Sequence, residues 1–157
     1  MQLTRAADYA VRVMLHLATL PRGVRASRAQ LAKAAEAPPS FVAKILQQLV
    51  GAHLVRSHAG RSGGFELALP PAQVSLLDVV TAMEGPVCLN HCLPPIKDCQ
   101  RSSWCPAHPI WAEAQAALQR VLADASLDRL LAANAARSLG PVIGIPNVAA
   151  GNVGFVA

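Results

Sequence analysis

Aromatic residues are scarce in this chain, at 4% of 157 positions, while Ala and Leu dominate, a balance that favours helices over a sandwich or barrel. No run of eighteen or more uncharged apolar residues occurs, so no membrane span is expected. Arg5, Asp8 and Arg12 interrupt the first apolar segment, which breaks up any secretory leader core and predicts a cytoplasmic protein. There is no dinucleotide fingerprint, no phosphate loop, no Ser/His/Asp arrangement and no pair of carboxylates in a cleft-like pattern, so an enzyme is not expected. What is present is a chain 53% apolar, enough for a real core and against global disorder.

Charge is unevenly placed. Residues 1–65 carry nine Lys/Arg against Asp8 and Glu36, a net +7, whereas residues 66–157 carry five basic and seven acidic residues, a net −2. A basic first half beside a slightly acidic second half is either a solvated basic face or a module for a polyanion.

Periodicity places the elements. Leu3, Ala7, Ala10, Val11, Met14, Leu15 and Ala18 recur at helical spacing, with Thr4 as N-cap and a stop at Pro21-Arg22-Gly23. Ser27 with Gln30 is a capping-box pattern that opens a short helix to Ala35, ended by Ala37-Pro38-Pro39. Ser40 is expected to cap a third helix with Val42, Ile45, Leu46 and Leu49 as its apolar stripe and Gly51 at its end. Two strand-like runs, Leu54–Ser57 and Phe65–Leu69, flank a glycine-rich hairpin tip that carries Arg61. Ser75 begins a helix to about Met83. Residues 84–106 have no period, and a loop of that length is usually functional. A long helix follows, with Ile110, Trp111, Ala114, Leu118, Val121, Leu122 and Ala125 on one face, and Ser126 opens a last one. The uncharged stretch 138–157 reads as a tail, either mobile or packed on a neighbouring chain.

Helix, short helix, turn, helix and a two-stranded wing is the order of a winged helix-turn-helix, in which the third helix enters the major groove. The fold class expected is therefore mainly α with a small two-stranded wing, plus a long dimerisation helix. Ser40, Phe41, Lys44, Gln47 and Gln48 lie off the apolar stripe of the third helix and offer groups for phosphates and base edges. Arg56, Arg61 and Ser62 belong to the wing, and a wing arginine suits a narrow minor groove. Each has a plainer reading: the glutamines as exposed helix formers, Phe41 as a packing residue at the turn, Arg61 as a solvated loop tip.

Cys88, Cys92, Cys99 and Cys105 all fall within one aperiodic loop, and no cysteine occurs elsewhere. Clustered thiols in a cytosolic chain read as metal ligation rather than as disulfides. Only Cys88 and Cys92 have the close spacing of a structural zinc pair. The longer intervals suit an iron–sulfur cluster, and His108 follows Cys105 by three residues.

The opening Met1-Gln2-Leu3-Thr4 with Asp8-Tyr9-Ala10-Val11-Arg12, the segments Ser40-Phe41-Val42 and Leu54-Val55, Gly60-Arg61-Ser62-Gly63-Gly64-Phe65, Glu84-Gly85-Pro86, and the cysteine spacing up to Trp111 together resemble the IscR/NsrR/RirA family of iron–sulfur winged-helix regulators over about residues 1–132. The resemblance implies that Cys92, Cys99 and Cys105 ligate a cluster, two-iron in the first place, with a four-iron cluster also accommodated. It leaves the fourth ligand open: His108 and Cys88 rank together, ahead of Asp8 donated by a partner subunit. Asp8 equally suits a local pair with Arg12, and His108 an ordinary helix-start residue. Two positions depart from the family pattern. Ala59 stands where relatives often carry arginine, and His53 stands where they often carry glycine at the exit of the recognition helix.

The organisation expected is a DNA-binding unit at 1–83, a cluster loop at 84–106, dimerisation and C-terminal helices at 107–137, and the tail. The function expected is a homodimeric regulator, a repressor in the first instance, that binds a pseudo-palindromic operator in double-stranded DNA and senses iron, nitric oxide or redox state. Rival readings keep the winged helix but give the thiols to zinc or a disulfide switch, or make the chain a DNA-independent adaptor of cluster assembly.

Overall fold

The computed structural model describes residues 3–60 and 63–136. Arg61, Ser62 and the tail 138–157 lie outside the described residues.

Helix α1 spans Arg5–Thr19, α2 Arg28–Ala35 and α3 Pro39–Gly51. Strand β1 (Val55–His58) pairs antiparallel with β2 (Gly64–Leu67) in the register Val55–Leu67, Arg56–Glu66, Ser57–Phe65 and His58–Gly64. A short 3₁₀ turn at Pro71–Gln73 leads into α4 (Leu76–Glu84), and α5 (His108–Asp124) and α6 (Leu127–Ala136) follow the cysteine loop. This is the mainly helical, winged architecture expected.

The helix starts follow local chemistry. Thr4 accepts from the Ala7 N–H, and Ser27 and Ser75 form capping boxes with Gln30 and Asp78, so donors that the first helical turn would leave unpaired are satisfied. The third helix corrects the expectation. Ser40 does not cap it: Pro38 is the N-cap residue and Pro39 the first helical one, with no side-chain cap. A proline has no N–H to satisfy at that position and its φ is already helical, so the helix begins two residues earlier and takes Ser40 into its first turn.

The exit of α3 explains His53. The His53 N–H donates to the Val50 carbonyl at 3.0 Å and the Leu54 N–H to the Leu49 carbonyl at 3.0 Å, which is a Schellman closure. His53 occupies its left-handed position with φ +58°. The path into the wing is thus the one a glycine would take, adopted by a residue that favours it less. The Leu54 N–H is used in this closure, the Leu54 carbonyl accepts from the Ala68 N–H at 3.0 Å, and β1 begins at Val55.

The core lies where α1 packs against α2, α3, α4 and α6. Val13, Met14, Leu31, Val42, Ile45, Leu46, Leu49, Val79 and Leu127 are fully buried there. Each such Leu, Ile or Met contributes about 1.5–3 kcal/mol relative to exposure. Helix α6 is tied back to the first unit by backbone bonds from Leu127 N–H to the Val74 carbonyl and from Leu76 N–H to the Ala125 carbonyl. Among the described residues no helix is long and apolar enough to cross a membrane.

Candidate functional site

Two constellations stand out. The first is the surface formed by α3 and the wing. Val42, Ile45, Leu46 and Leu49 face the core, which leaves Ser40, Phe41, Lys44, Gln47 and Gln48 exposed. Phe41 is also a packing residue: its ring meets Tyr9 edge-on, with centroids 6.2 Å apart. Lys44 has no ion-pair partner among the described residues.

Between α3 and the wing is a recess of about 360 Å³ lined by Arg28, Ala43, Gln47, Ser57 and Phe65 among others. Alternation along the strands sends Ser57 and Phe65 to this side, and Arg56, His58 and Glu66 to the opposite one. Arg56 therefore lies away from α3, against a second recess with Arg22 and Glu66. On that face His58 Nε2 and Glu66 Oε1 are 2.7 Å apart, which ties the two strands together. The wing is held to the body where Phe65 and Ala26 exchange backbone hydrogen bonds at 2.9 and 3.0 Å. Gly64 permits that approach: a Cβ there would sit 2.8 Å from the Ala26 carbonyl oxygen, and φ is +152°.

Arg28 was not singled out in the sequence, although a signal was present. It is the first residue of α2, where a cation opposes the helix dipole, and no acidic residue shares that turn. Helix stability does not account for it.

Asp8 lies 2.8 Å from Arg12 one turn on, and Arg12 also reaches the Ala35 carbonyl at 3.4 Å and Glu36 at 3.7 Å. Asp8 thus pairs within α1 with Arg12, the local alternative raised for it, while Arg12 stitches α1 to the end of α2.

The second constellation is the cysteine loop between α4 and α5. All four thiols are half-buried and unpaired. Cys92 and His108 line one recess of about 330 Å³ with Pro94, Lys97, Ser102 and Ser103. His108 opens α5, its N–H donates to the Cys105 carbonyl at 3.1 Å, and its Nδ1 is buried with no hydrogen-bond partner. A buried ring nitrogen without a protein partner is a candidate metal ligand. Cys88 sits elsewhere, in a recess with Leu3, Val80 and Glu84, its Sγ 3.2 Å from the Asn90 carbonyl. Among the described residues no three His, Cys, Asp or Glu side chains converge closely enough to hold a single metal ion. The donor set nonetheless fits a cluster in kind: soft thiolates from separate points of one loop, plus an unpartnered imidazole.

Helix α5 presents Ile110, Trp111 and Val121 to solvent, at 64%, 44% and 63% exposure, so these residues of its expected apolar stripe are not buried against the other described residues. Its one fully buried residue is polar, Gln115, which sequence reading passed over.

The profile of the Rrf2 family, described as an iron-dependent transcriptional regulator, matches residues 3–133. A protein of Rhizobium meliloti named aau3 is 33% identical over 135 residues, covering 85% of this chain and 86% of its own length. A Mycobacterium tuberculosis protein, Rv1287, named as an HTH-type transcriptional regulator, is 44% identical over 87 residues, 55% of this chain, and the match spans about half of that relative, 54%. Among solved structures, CymR, the global cysteine regulator of B. subtilis, superposes with a TM-score of 0.69 at 22% identity, over 83% of this chain and 95% of its own. IscR of T. potens gives 0.69 at 19% identity, over 88% and 91%. At such identities the two structures speak for the fold alone, and it is the match over most of the chain that assigns it to the Rrf2 family of transcriptional regulators.

Proposed function

We propose that the chain is a DNA-binding regulator whose affinity for a pseudo-palindromic operator responds to an iron–sulfur cluster held on the 84–106 loop. The observation that carries the cluster reading is the recess lined by both Cys92 and His108; the His108 Nδ1 is, besides, buried without a hydrogen-bond partner. Cys92, Cys99 and Cys105 are the thiolate ligands in this reading. His108 is favoured over Cys88 as the fourth, because Cys88 lines a different recess and Asp8 is engaged with Arg12. The cluster, when bound, supplies a centre that iron supply, oxidants or nitric oxide can alter, and a histidine ligand makes its potential depend on pH. A two-iron cluster is the first choice and a four-iron one the second.

The protein's own residues do the rest. Lys44 and Arg28 meet phosphates, and Gln47, Gln48 and Ser40 face base edges in the major groove. Arg61 and Ser62 are assigned to the wing contact on sequence grounds, and Arg56 to a flanking phosphate. The exposed face of α5, with Ile110, Trp111 and Val121, meets its counterpart in a second copy, giving two recognition helices one helical turn of DNA apart. The loop joins this dimer helix to the winged unit, so ordering or loosening it changes half-site spacing. Repression is the expected output, in the cytoplasm.

A second reading is a zinc or thiol–disulfide switch on the same loop; that no three donors converge among the described residues favours the disulfide form of it over zinc. One solved neighbour, Staphylococcus aureus CymR, is an oxidised form. An anaerobic absorption spectrum of purified protein, with iron, sulfide and zinc assays on the same sample, separates the two. Matched iron and sulfide with thiolate-to-iron bands supports the cluster. A colourless protein that takes up no iron on reconstitution moves the loop to zinc or disulfide chemistry.

A further inference from the structure

We infer that Gln115 is a positioning residue that clamps both limbs of the loop around Cys92 onto α5, and so sets where the Cys92 thiol stands relative to His108. The inference rests on the cluster reading for its consequence, but not for its geometry.

Gln115 is 6% exposed and is the one buried polar residue among those described. Both ends of its amide are used. Its Oε1 accepts from the Leu89 N–H at 2.9 Å, and its Nε2 donates to the Pro94 carbonyl at 3.0 Å. These two backbone groups lie three residues before and two residues after Cys92. One turn further along α5, Gln119 Nε2 donates to the Val87 carbonyl at 3.3 Å. Apolar packing on this segment comes from Val87 and Leu93, buried at 4% and 1% exposure. On α5 itself the only fully buried side chain is Gln115. The helix therefore holds the Cys92 limb through a directional amide, which fixes register in a way a leucine at the same place does not.

The clamp is selective within the loop. Cys105 is positioned by its own turn, with its N–H donating to the Arg101 carbonyl at 2.8 Å, independently of Gln115. The Cys92 limb reaches on toward Cys99 through the Asp98 N–H to His91 carbonyl bond, also 2.8 Å. His108 lies two helical turns before Gln115 on the same helix, so the clamp and the imidazole share one rigid frame.

The test uses full-length protein, reduced and metal-free, with the alkylation rate of each cysteine read by mass spectrometry. Gln115→Leu keeps the volume and removes both hydrogen bonds. Gln115→Glu keeps an acceptor for Leu89 and, ionised, loses the donor to Pro94. The clamp predicts that Cys92 alkylates at least fivefold faster in Gln115→Leu, by an intermediate factor in Gln115→Glu, and that Cys105 stays within twofold of wild type. Unchanged Cys92, or all four cysteines accelerated alike, overturns it. Anaerobic reconstitution of the same variants then reads the consequence: a shifted visible spectrum and lower iron per chain than wild type. If wild type itself takes up no iron, the cluster reading fails while the alkylation result on the clamp stands.

Discussion

Glu84, the last residue of α4, accepts hydrogen bonds from both the backbone N–H and the hydroxyl of Thr4, the N-cap of α1. The Thr4 hydroxyl in turn accepts from the Ala7 N–H at 3.3 Å. The mouth of the cysteine loop is thereby fastened to the first turn of the winged unit. Because the contact is exposed, its worth is modest: Glu84→Ala is expected to lower unfolding free energy by about 1 kcal/mol, and Glu84→Gln by less. Urea denaturation of the reduced protein checks this, and a loss under about 0.3 kcal/mol for the alanine variant would show that the contact stabilises nothing.

His53 offers the opposite change. It holds φ +58° at the Schellman position after α3, with its side chain exposed. Glycine adopts that conformation without the Cβ penalty, so His53→Gly is expected to stabilise by about 0.5–1 kcal/mol, after the entropy glycine adds to the unfolded chain. A thermal melt that falls rather than rises would contradict the assigned backbone.

Much of the fold was legible because its signals are local. The Ser27–Gln30 box, the Thr4 cap and the stripe Val42, Ile45, Leu46, Leu49 each lie within one or two helical turns of sequence. Ser40 misled because a good N-capping residue followed two prolines that could themselves begin the helix. The face taken by Arg56 depends on the pairing of β1 with β2, and strand alternation alone does not say which side meets α3. In the loop, the four cysteines announced chemistry but not arrangement: the placement of Cys92 depends on Gln115, more than twenty residues away. Gln115 itself lies four residues after Trp111 and three before Leu118, a polar residue inside an apolar stripe, which was the available clue.

Stability should weaken in mild acid through His16. Burial holds its imidazole below the ordinary value of 6.5, and its Nδ1 is buried without a partner. Well above that value the ring is neutral in both folded and unfolded chains and contributes no difference. As pH falls through 6.5, the unfolded chain takes up a proton that the folded chain resists, so stability drops until the folded-state value is passed. Denaturation midpoints between about pH 7 and pH 5 should fall in wild type and flatten in His16→Leu, and parallel profiles would assign the acid effect to another group.

On the α3 surface, Lys44→Ala and Gln47→Ala should fail differently. Removing a phosphate contact weakens binding to all duplexes alike and lowers the salt slope by about one unit. Removing a base-edge contact costs about 1–3 kcal/mol on the preferred sequence and little on others. Titrations at several salt concentrations, on selected and scrambled duplexes, read both quantities. Equal losses on both duplexes for Gln47→Ala would remove it from base recognition.

The most direct test of the account compares one anaerobic preparation before and after removal of its iron, at fixed salt, on a duplex selected from random sequence by the iron-loaded protein. The account predicts that the dissociation constant shifts tenfold or more between the two states, about 1.4 kcal/mol, with both states remaining dimeric. Equal affinities for the selected duplex would contradict it, and would leave a DNA-binding protein whose cysteine loop does not control binding.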